Sequence, residues 1–300
     1  MKPVAYLFIF LATAVPALAV AGFDEAATVY GKKDFRTARQ IAEPLAKSGD
    51  VRAMAMLGVL YQKGQGVAPS LDKAMEWYGK AAAAGDAPSQ FALAMIYLDG
   101  SLGGVDYDSG ARWLRAAADA GNPEAQFNMG LLFAGAFGNT PDWPEAAEWY
   151  RRSAERGFSN GQYNLGVLYL EGNGVEKDEI EAARWLARAA AQGNTDAALD
   201  YGILVFRGQG VQKNEKVGAQ WLLIAARRGN IVAQNRVARL YAYGKGLAPD
   251  PVEAMKWNLL AANKGRPDAE LDTLLANLTP EQKTEAQSRA DAFKPEGAAE

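Results

Sequence analysis

The feature that most constrains this chain of 300 residues is a period of 36 residues. Tryptophan and glycine each recur six times in one register. They stand at Trp77, Trp113, Trp149, Trp185, Trp221 and Trp257, and at Gly85, Gly121, Gly157, Gly193, Gly229 and Gly265. Periods of about 20–50 residues are typical of repeat proteins, whose stacked units share one core. The register predicts six units without insertion: 51–86, 87–122, 123–158, 159–194, 195–230 and 231–266.

Each unit has the pattern of two helices joined by a glycine-containing turn. In the first unit, Ala53, Leu57, Leu60 and Tyr61 are spaced as one face of a helix. A residue whose side chain can accept from free backbone N–H groups precedes every second helix. These predicted N-caps are Ser70, Asp106, Asp142, Asp178, Asn214 and Asp250. We therefore predict an all-α fold, a right-handed α-solenoid of helix-turn-helix repeats with a 36-residue period.

Three further columns of the repeat carry structural predictions. Glutamates three residues after an N-cap predict capping boxes at Glu145, Glu181 and Glu253. The tryptophan column lies among alanines, which predicts that it belongs to the core. A column of small residues predicts close approach of helices. Its members are Gly58, Ala94, Gly130, Gly166, Gly202 and Ala238.

The segments outside the six units have distinct patterns. Residues 22–50 keep the register and are expected to form a partial N-terminal repeat. Residues 267–293 are expected to form C-terminal capping helices, because the last unit of a solenoid needs a cover. Residues 294–300 are expected to be a disordered tail.

The first 21 residues have the pattern of a signal peptide. Lys2 supplies a positive start, and Val4 to Val15 is an apolar stretch too short for a comfortable membrane span. Small residues suit cleavage near Ala19 or Ala21. The chain has no cysteine, so the lipid anchor of a bacterial lipoprotein is excluded. We expect a periplasmic or secreted protein with no stable membrane insertion after cleavage.

The composition removes most kinds of active site. The chain has no histidine and no cysteine, which excludes Ser-His-Asp triads, Cys-His pairs and nearly all zinc sites. A net charge of −3 without a basic block argues against nucleic acid as a partner. We expect no cofactor, no metal and no catalytic residue. The enzymatic alternative is hydrolysis of cell-wall glycan, which needs two carboxylates about 5–10 Å apart across one cleft.

The first helix of each unit is apolar almost all round and keeps one polar stripe. A helix of this kind is expected on the inner side of a solenoid, with its stripe facing the groove where repeat proteins bind. The alternative is a solvated face without a ligand. The predicted partner-binding residues are Arg52, Glu124, Asn128, Asn160, Asn164, Glu171, Asp196, Asp200, Arg207 and Arg236.

The repeat resembles a known family. The sequence LGVLYQKGQGV, an Asp or Ser cap and KAMEWYGKAAAAGD are similar to the Sel-one-like repeat, a relative of the tetratricopeptide repeat. LGVLYLEGNGVEKDEIEAARWLARAAAQGN, residues 165–194, matches it especially well. The resemblance implies a non-catalytic adaptor that binds another envelope or periplasmic protein. The machinery that makes peptidoglycan or polysaccharide is among the partners it implies. A glycan-binding or glycan-processing protein and a self-associating structural protein are the alternatives.

Overall fold

The computed structural model describes residues 22–136 and 140–297. The predicted signal peptide, 1–21, lies outside the described residues. The chain divides into two compact units, Met1–Leu93 and Ala94–Glu300. In the described part of the chain, all regular structure is helical, which confirms the predicted all-α fold of helix-turn-helix repeats.

The first unit contains two complete helix pairs and the beginning of a third. Its helices are α1 Phe23–Gly31, α2 Phe35–Lys47, α3 Val51–Lys63, α4 Leu71–Ala83 and the first half of α5 Ala87–Leu98. The pair α1 and α2 lies within the predicted partial repeat, 22–50. Consecutive helices α1, α2, α3 and α4 pack against one another in chain order.

The second unit continues the same alternation from the end of α5. Its helices are α6 Tyr107–Asp119, α7 Pro123–Phe133, α8 Trp143–Glu155, α9 Ser159–Glu171, α10 Glu179–Ala191, α11 Thr195–Arg207, α12 Glu215–Arg227, α13 Ile231–Tyr243, α14 Pro251–Ala262, α15 Ala269–Leu275 and α16 Pro280–Asp291. Odd-numbered helices up to α13 are the first helices of their repeats, and even-numbered helices up to α14 are the second helices.

The helix ends form as the sequence predicts, with one correction. Every predicted N-cap accepts from the backbone of its helix, from Ser70 at α4 to Asp250 at α14. The predicted capping boxes at Glu145, Glu181 and Glu253 do not form, because these carboxylates have partners further along the helix.

Glu145 and Glu253 each accept from the indole N–H of a tryptophan four residues later, Trp149 and Trp257, over 3.0 Å. Glu181 instead pairs with Arg184. A capping box does form at α16, between Thr279 and Gln282.

The column of small residues brings the two helices of one repeat together. A Cβ added at Gly130 would lie 2.5 Å from the Tyr150 ring, and one at Gly166 would lie 2.8 Å from Leu186. This confirms the predicted close approach. A side chain at these positions would force the helix pair apart, so glycine is required by space rather than by backbone angle.

The glycines of the turns have a second role that the sequence did not reveal. A Cβ at Gly210 would lie 1.9 Å from the carbonyl oxygen of Glu179, the first residue of the preceding second helix. Gly174 approaches Trp143 of α8 in the same way, at 2.1 Å. These turns therefore fix the stacking of successive repeats as well as reversing the chain.

The tryptophan column is only partly in the core, which corrects the prediction. Trp149 and Trp257 are 1% and 2% exposed, whereas the other four tryptophans are half-buried. Arg188 lies over the Trp185 ring, 4.5 Å from its centroid. The buried alanines, for example Ala182 and Ala189, form the continuous part of the core.

The C-terminal helices cover the last repeat. The α16 helix packs against α14, and the Phe293 ring meets the Trp257 ring edge-on at 5.5 Å. The segment 294–300 was expected to be disordered. Its described part, 294–297, instead lies against the end of α12, where Glu296 N–H donates to the Arg227 carbonyl over 2.9 Å. This backbone hydrogen bond therefore holds the part of the tail that the structure describes.

In each unit, one pair of first helices of successive repeats is in contact. Contacts join α1 to α3 in the first unit, and α7 to α9 and α13 to α15 in the second. The last second helix, α14, likewise packs against the capping helix α16. That the exposed stripe of the first helices faces the inside of the stack stays a prediction from the sequence.

Candidate functional site

The predicted partner-binding residues lie on one face of the first helices, which we call the inner stripe. Its residues occupy the second, sixth and thirteenth positions of the repeat. At about 100° per residue these positions fall within about 40° of one another. Arg52 belongs to the first unit, and the other nine residues belong to the second unit.

The inner stripe is accessible along its length. Arg52, Glu124, Asn160, Glu171, Asp196 and Arg207 are exposed. Asn128, Asn164, Asp200 and Arg236 are half-buried. The structure thus brings the nine residues of the second unit onto neighbouring helices α7, α9, α11 and α13. Arg52 stands apart on α3, where its guanidinium lies 4.6 Å from the centroid of the Phe23 ring.

The two asparagines at the sixth position each donate one hydrogen bond within their own helix. Asn128 Nδ2 donates to the carbonyl of Glu124 over 2.8 Å, and Asn164 Nδ2 donates to the carbonyl of Asn160 over 2.9 Å. Each bond lies within one helix turn. In this arrangement a partner would meet the side-chain oxygens of Asn128 and Asn164 as acceptors.

Hydrogen bonds between repeats orient other members of the stripe. Asn194 caps α11 through its Oδ1, and its Nδ2 donates to Asn160 Oδ1 over 3.0 Å. Asn230 caps α13 in the same manner, and its Nδ2 donates to Asp196 Oδ1 over 2.9 Å. The side-chain amide of each asparagine therefore caps the start of its own helix and holds the neighbouring first helix in register. The stripe is pre-organised by these contacts before any partner arrives.

Asp200 is the most perturbed acid of the stripe. Burial raises its pKa, a hydrogen bond from the Tyr163 hydroxyl opposes the rise, and the charge of nearby Asp196 reinforces it. Burial also raises the pKa of Tyr163, and the charge of Asp200 adds to this effect. The attraction of Arg236 lowers the pKa of Asp200 without reversing the shift.

The stripe becomes basic towards its C-terminal end. Burial lowers the pKa of Arg236, and repulsion from Arg207 and Arg266 lowers it further. Among the described residues, Asp200 is the acid whose attraction opposes this shift. The Nε atom of Arg236 is buried and has no hydrogen-bond partner. Arg236 therefore lies among more positive than negative charges.

Arg239, also on α13, has its charge compensated. It donates to both oxygens of Asp268 over 2.8 Å, and its third nitrogen pairs with Glu270 at 2.9 Å. Asn235 Nδ2 also donates to Asp268 over 2.8 Å. Burial alone would raise the pKa of Asp268, but these hydrogen bonds outweigh burial and lower it. This network attaches the short helix α15 to the last repeat.

Two cavities are lined in part by residues of the inner stripe, one in each unit. The cavity of the first unit has a volume of about 430 Å³ and a mainly apolar wall that includes Tyr30, Met56, Val59 and Tyr78. The cavity of the second unit has a volume of about 130 Å³ and lies between α11 and α13, in contact with Arg207 and Arg236. Small apolar hollows beside charged groups are typical of sites for peptide side chains.

The sequence contains a further column with the 36-residue period, which consists of buried glutamines. Gln90, Gln126, Gln162 and Gln234 are buried and stand at the same position of their repeats. Each donates through Nε2 to a carbonyl in the last turn of the preceding second helix, as Gln126 does to Ala118 over 3.0 Å. Their 36-residue spacing was the signal. Their role is to join repeats, and they add nothing to the exposed site.

The described residues contain no group of three or more His, Cys, Asp or Glu side chains arranged to hold a metal ion. In the same part of the chain, no helix combines the length and the apolar character that crossing a membrane requires.

Comparison with known families identifies the repeat. The Sel1 repeat model matches residues 51–86, 87–122, 123–158, 159–194, 195–230 and 231–265. These matches cover more than two thirds of the chain. The chain belongs to the Sel1 repeat family. Sel1 repeats typically mediate interactions between proteins, and proteins built from them are generally non-catalytic scaffolds.

Solved structures agree with this assignment. A Sel1 repeat protein from Oxalobacter formigenes is 32% identical, with a TM-score of 0.70 over 81% of this chain and 100% of that one. The protein c5321 of uropathogenic Escherichia coli, a protective antigen with the same type of repeat, is 28% identical. Its TM-score is 0.56 over 91% of this chain and 68% of that one. No curated protein matches the chain.

Proposed function

We propose that this protein is a non-catalytic scaffold or regulatory adaptor of the bacterial cell envelope. It binds another envelope protein along the inner stripe of its first helices. The observation that carries the proposal is the accessibility of that stripe. Its polar side chains are exposed or half-buried on four neighbouring helices, and a cavity opens beside them.

The chemistry of the stripe favours an extended protein segment as the ligand. Acceptors predominate in its middle, where Glu124, Asn164 and Glu171 stand on α7 and α9, and arginines predominate at its end. Backbone N–H groups and basic side chains of a partner would match the first region. Many weak contacts distributed over several repeats are the usual way in which such proteins bind.

A matched pair of triple variants tests this proposal. We expect Glu124→Ala, Asn164→Ala and Glu171→Ala together to weaken partner capture by more than ~1.5 kcal/mol, since each lost hydrogen bond is worth about 0.5–1.5 kcal/mol. The assay is crosslinking in intact cells followed by identification of the captured protein. Thermal unfolding of the variant should change little, because Glu124 and Glu171 are exposed and the bond that half-buried Asn164 loses lies within one helix turn.

The control replaces exposed residues of the second helices. Arg112→Ala, Arg184→Ala and Lys216→Ala remove three charges from the opposite side of the repeats. This variant should capture the partner as well as the wild-type protein does. If it loses the partner while the stripe variant keeps it, the partner binds the outer face and the proposal is wrong.

Export is part of the same proposal. The charged start, the apolar stretch and the small residues at Ala19 and Ala21 support cleavage of 1–21 and release into the periplasm or the medium. N-terminal sequencing of the protein from the periplasmic fraction is expected to begin at residue 20 or residue 22. A soluble periplasmic form that retains Met1 would contradict cleavage.

A second candidate function, glycan binding or processing with carboxylates, rests on Asp196 and Asp200. These acids are one helix turn apart on α11, and burial raises the pKa of Asp200 as a general acid requires. Purified peptidoglycan incubated with the wild-type protein distinguishes the candidates. Reducing ends that appear with the wild-type protein and not with Asp200→Asn would favour the enzyme, and their absence from both favours the scaffold.

A further inference from the structure

The cavity of the second unit combines an apolar wall with three arginines, and we call it the arginine cleft. Its apolar side chains are Ile203 and Phe206 of α11, Leu222 of α12 and Leu240 of α13. Arg207, Arg236 and Arg239 complete it. The volume of about 130 Å³ suits one bulky side chain, because an apolar cavity of about 150 Å³ accommodates a molecule of benzene.

The three arginines differ in how their charges are compensated. Arg239 is held by Asp268 and Glu270, so its charge is neutralised within the protein. Arg207 is exposed and forms no ion pair or hydrogen bond among the described residues. Arg236 has a buried Nε without an acceptor and lies near Arg207 and Arg266, whose repulsion the single nearby carboxylate of Asp200 opposes. The cleft therefore presents a surplus of positive charge with unused donors beside an apolar hollow.

From this geometry we infer that the arginine cleft binds an acidic peptide segment of the partner. A bulky aliphatic or aromatic side chain of that segment fills the hollow, and an adjacent carboxylate pairs with Arg207 and Arg236. This inference rests on the proposed function and names the chemistry of the ligand at one end of the inner stripe.

Two features favour a peptide over other anions. Guanidinium groups pair with carboxylates through two parallel hydrogen bonds, which the free donors of Arg207 and Arg236 allow. The apolar wall would remain unfilled against a sulfated or phosphorylated polysaccharide, because such a chain has no large apolar side group. A peptide supplies both the carboxylate and the apolar side chain within two or three residues.

The test is selection of a random nine-residue peptide library, displayed on phage, against the purified protein. We expect the selected sequences to carry Asp or Glu within two residues of Leu, Ile, Met, Phe, Tyr or Trp. A selected peptide, synthesised with a fluorescent label, should bind at least about tenfold more weakly to the double variant Arg207→Gln and Arg236→Gln. Tenfold corresponds to about 1.4 kcal/mol. Added salt should weaken binding to the wild-type protein.

Two further variants make the result decisive. Arg207→Glu changes an exposed residue and reverses the charge, so it should reject the same peptide even if replacement of Arg236 disturbs folding. Lys216→Gln with Arg227→Gln removes two exposed charges from α12 and should bind within twofold of the wild-type protein.

Selection of no acidic sequences, or equal binding to the arginine variants, would overturn the inference. Binding of dextran sulfate that depends on Arg207, without binding of any selected peptide, would also overturn it and would indicate a glycan ligand. These results leave the proposed function to its own test, because the stripe variant used there retains both arginines.

Discussion

The sharpest structural prediction concerns two tryptophans of one column, Trp149 and Trp185. The period treats them as equivalent, and the structure does not. Trp149 is 1% exposed, whereas Trp185 is half-buried. Replacing each by alanine therefore shows whether the free energy of unfolding depends on the position in the repeat or on local packing.

The expected cost at Trp149 follows from its contacts. Truncation of a buried tryptophan to alanine costs about 3–5 kcal/mol. The indole N–H also donates to Glu145 over 3.0 Å, and the guanidinium groups of Arg115 and Arg152 lie 5.1 Å and 4.6 Å from the ring centroid. Cation–π contacts of this kind contribute about 0.5–1 kcal/mol each. We expect Trp149→Ala to lower the free energy of unfolding by about 4–5 kcal/mol.

The cost at Trp185 should be smaller. Its side chain is already partly exposed to water, and Arg188 is the cation that lies over its ring. Area buried scales with stabilisation, so we expect Trp185→Ala to cost about 1–2 kcal/mol. Trp149→Phe, which keeps most of the apolar contact and loses the hydrogen bond to Glu145, should fall between the two.

Urea unfolding followed by far-UV circular dichroism and by fluorescence measures these differences, with coincident transitions required for the comparison. The result that would refute the reasoning is equal destabilisation by Trp149→Ala and Trp185→Ala. It would mean that the column contributes through the repeat position alone, independently of burial.

Two predictions concern acids of the second unit. The pKa of Asp200 is raised, so its contribution to stability is present at low pH and is lost as the pH rises through that pKa. Asp200→Asn keeps an acceptor for Tyr163 and should be at least as stable as the wild-type protein at pH 7.5. Urea melts at pH 4 should show that this advantage is lost. The opposite trend would contradict burial as the cause. Asp268→Ala should cost about 2–3 kcal/mol at neutral pH, below the usual 3–5 for a broken buried pair because Arg239 is 38% exposed. The wild-type advantage over this variant should shrink as acid protonates Asp268, whose pKa is lowered, and a loss that persists undiminished in acid would exclude the ion pair with Arg239 as its source.

The period predicted the fold because its signals are local. N-caps such as Asp178, apolar residues at helical spacing and the glycine after each second helix act within one or two turns, so a single sequence reveals them. The small residue at Gly130 was predictable for the same reason, since helices of one repeat are adjacent in the chain.

The corrections arise where a residue has competing partners in space. Glu145 has the spacing of a capping box, yet the indole of Trp149 lies within reach of its carboxylate and takes it instead. Gly210 looks like a turn glycine, and its contact with Glu179 of another repeat depends on stacking. Arg236 and Arg239 look alike in sequence, but only the charge of Arg239 is neutralised, because Asp268 pairs with it. The first difference depends on a competing partner one helix turn away, and the other two depend on tertiary contacts between residues about 30 positions apart.

The central claim is that the inner stripe of the first helices contacts the partner, and one crosslinking measurement tests it most directly. The photoreactive amino acid p-benzoylphenylalanine replaces Glu171 on α9 in one strain and Arg184 on α10 in another. Both positions are exposed and belong to the repeat 159–194. Illumination of intact cells should give a covalent adduct with one defined protein at position 171 and none at position 184. An adduct at position 184 alone would contradict the account.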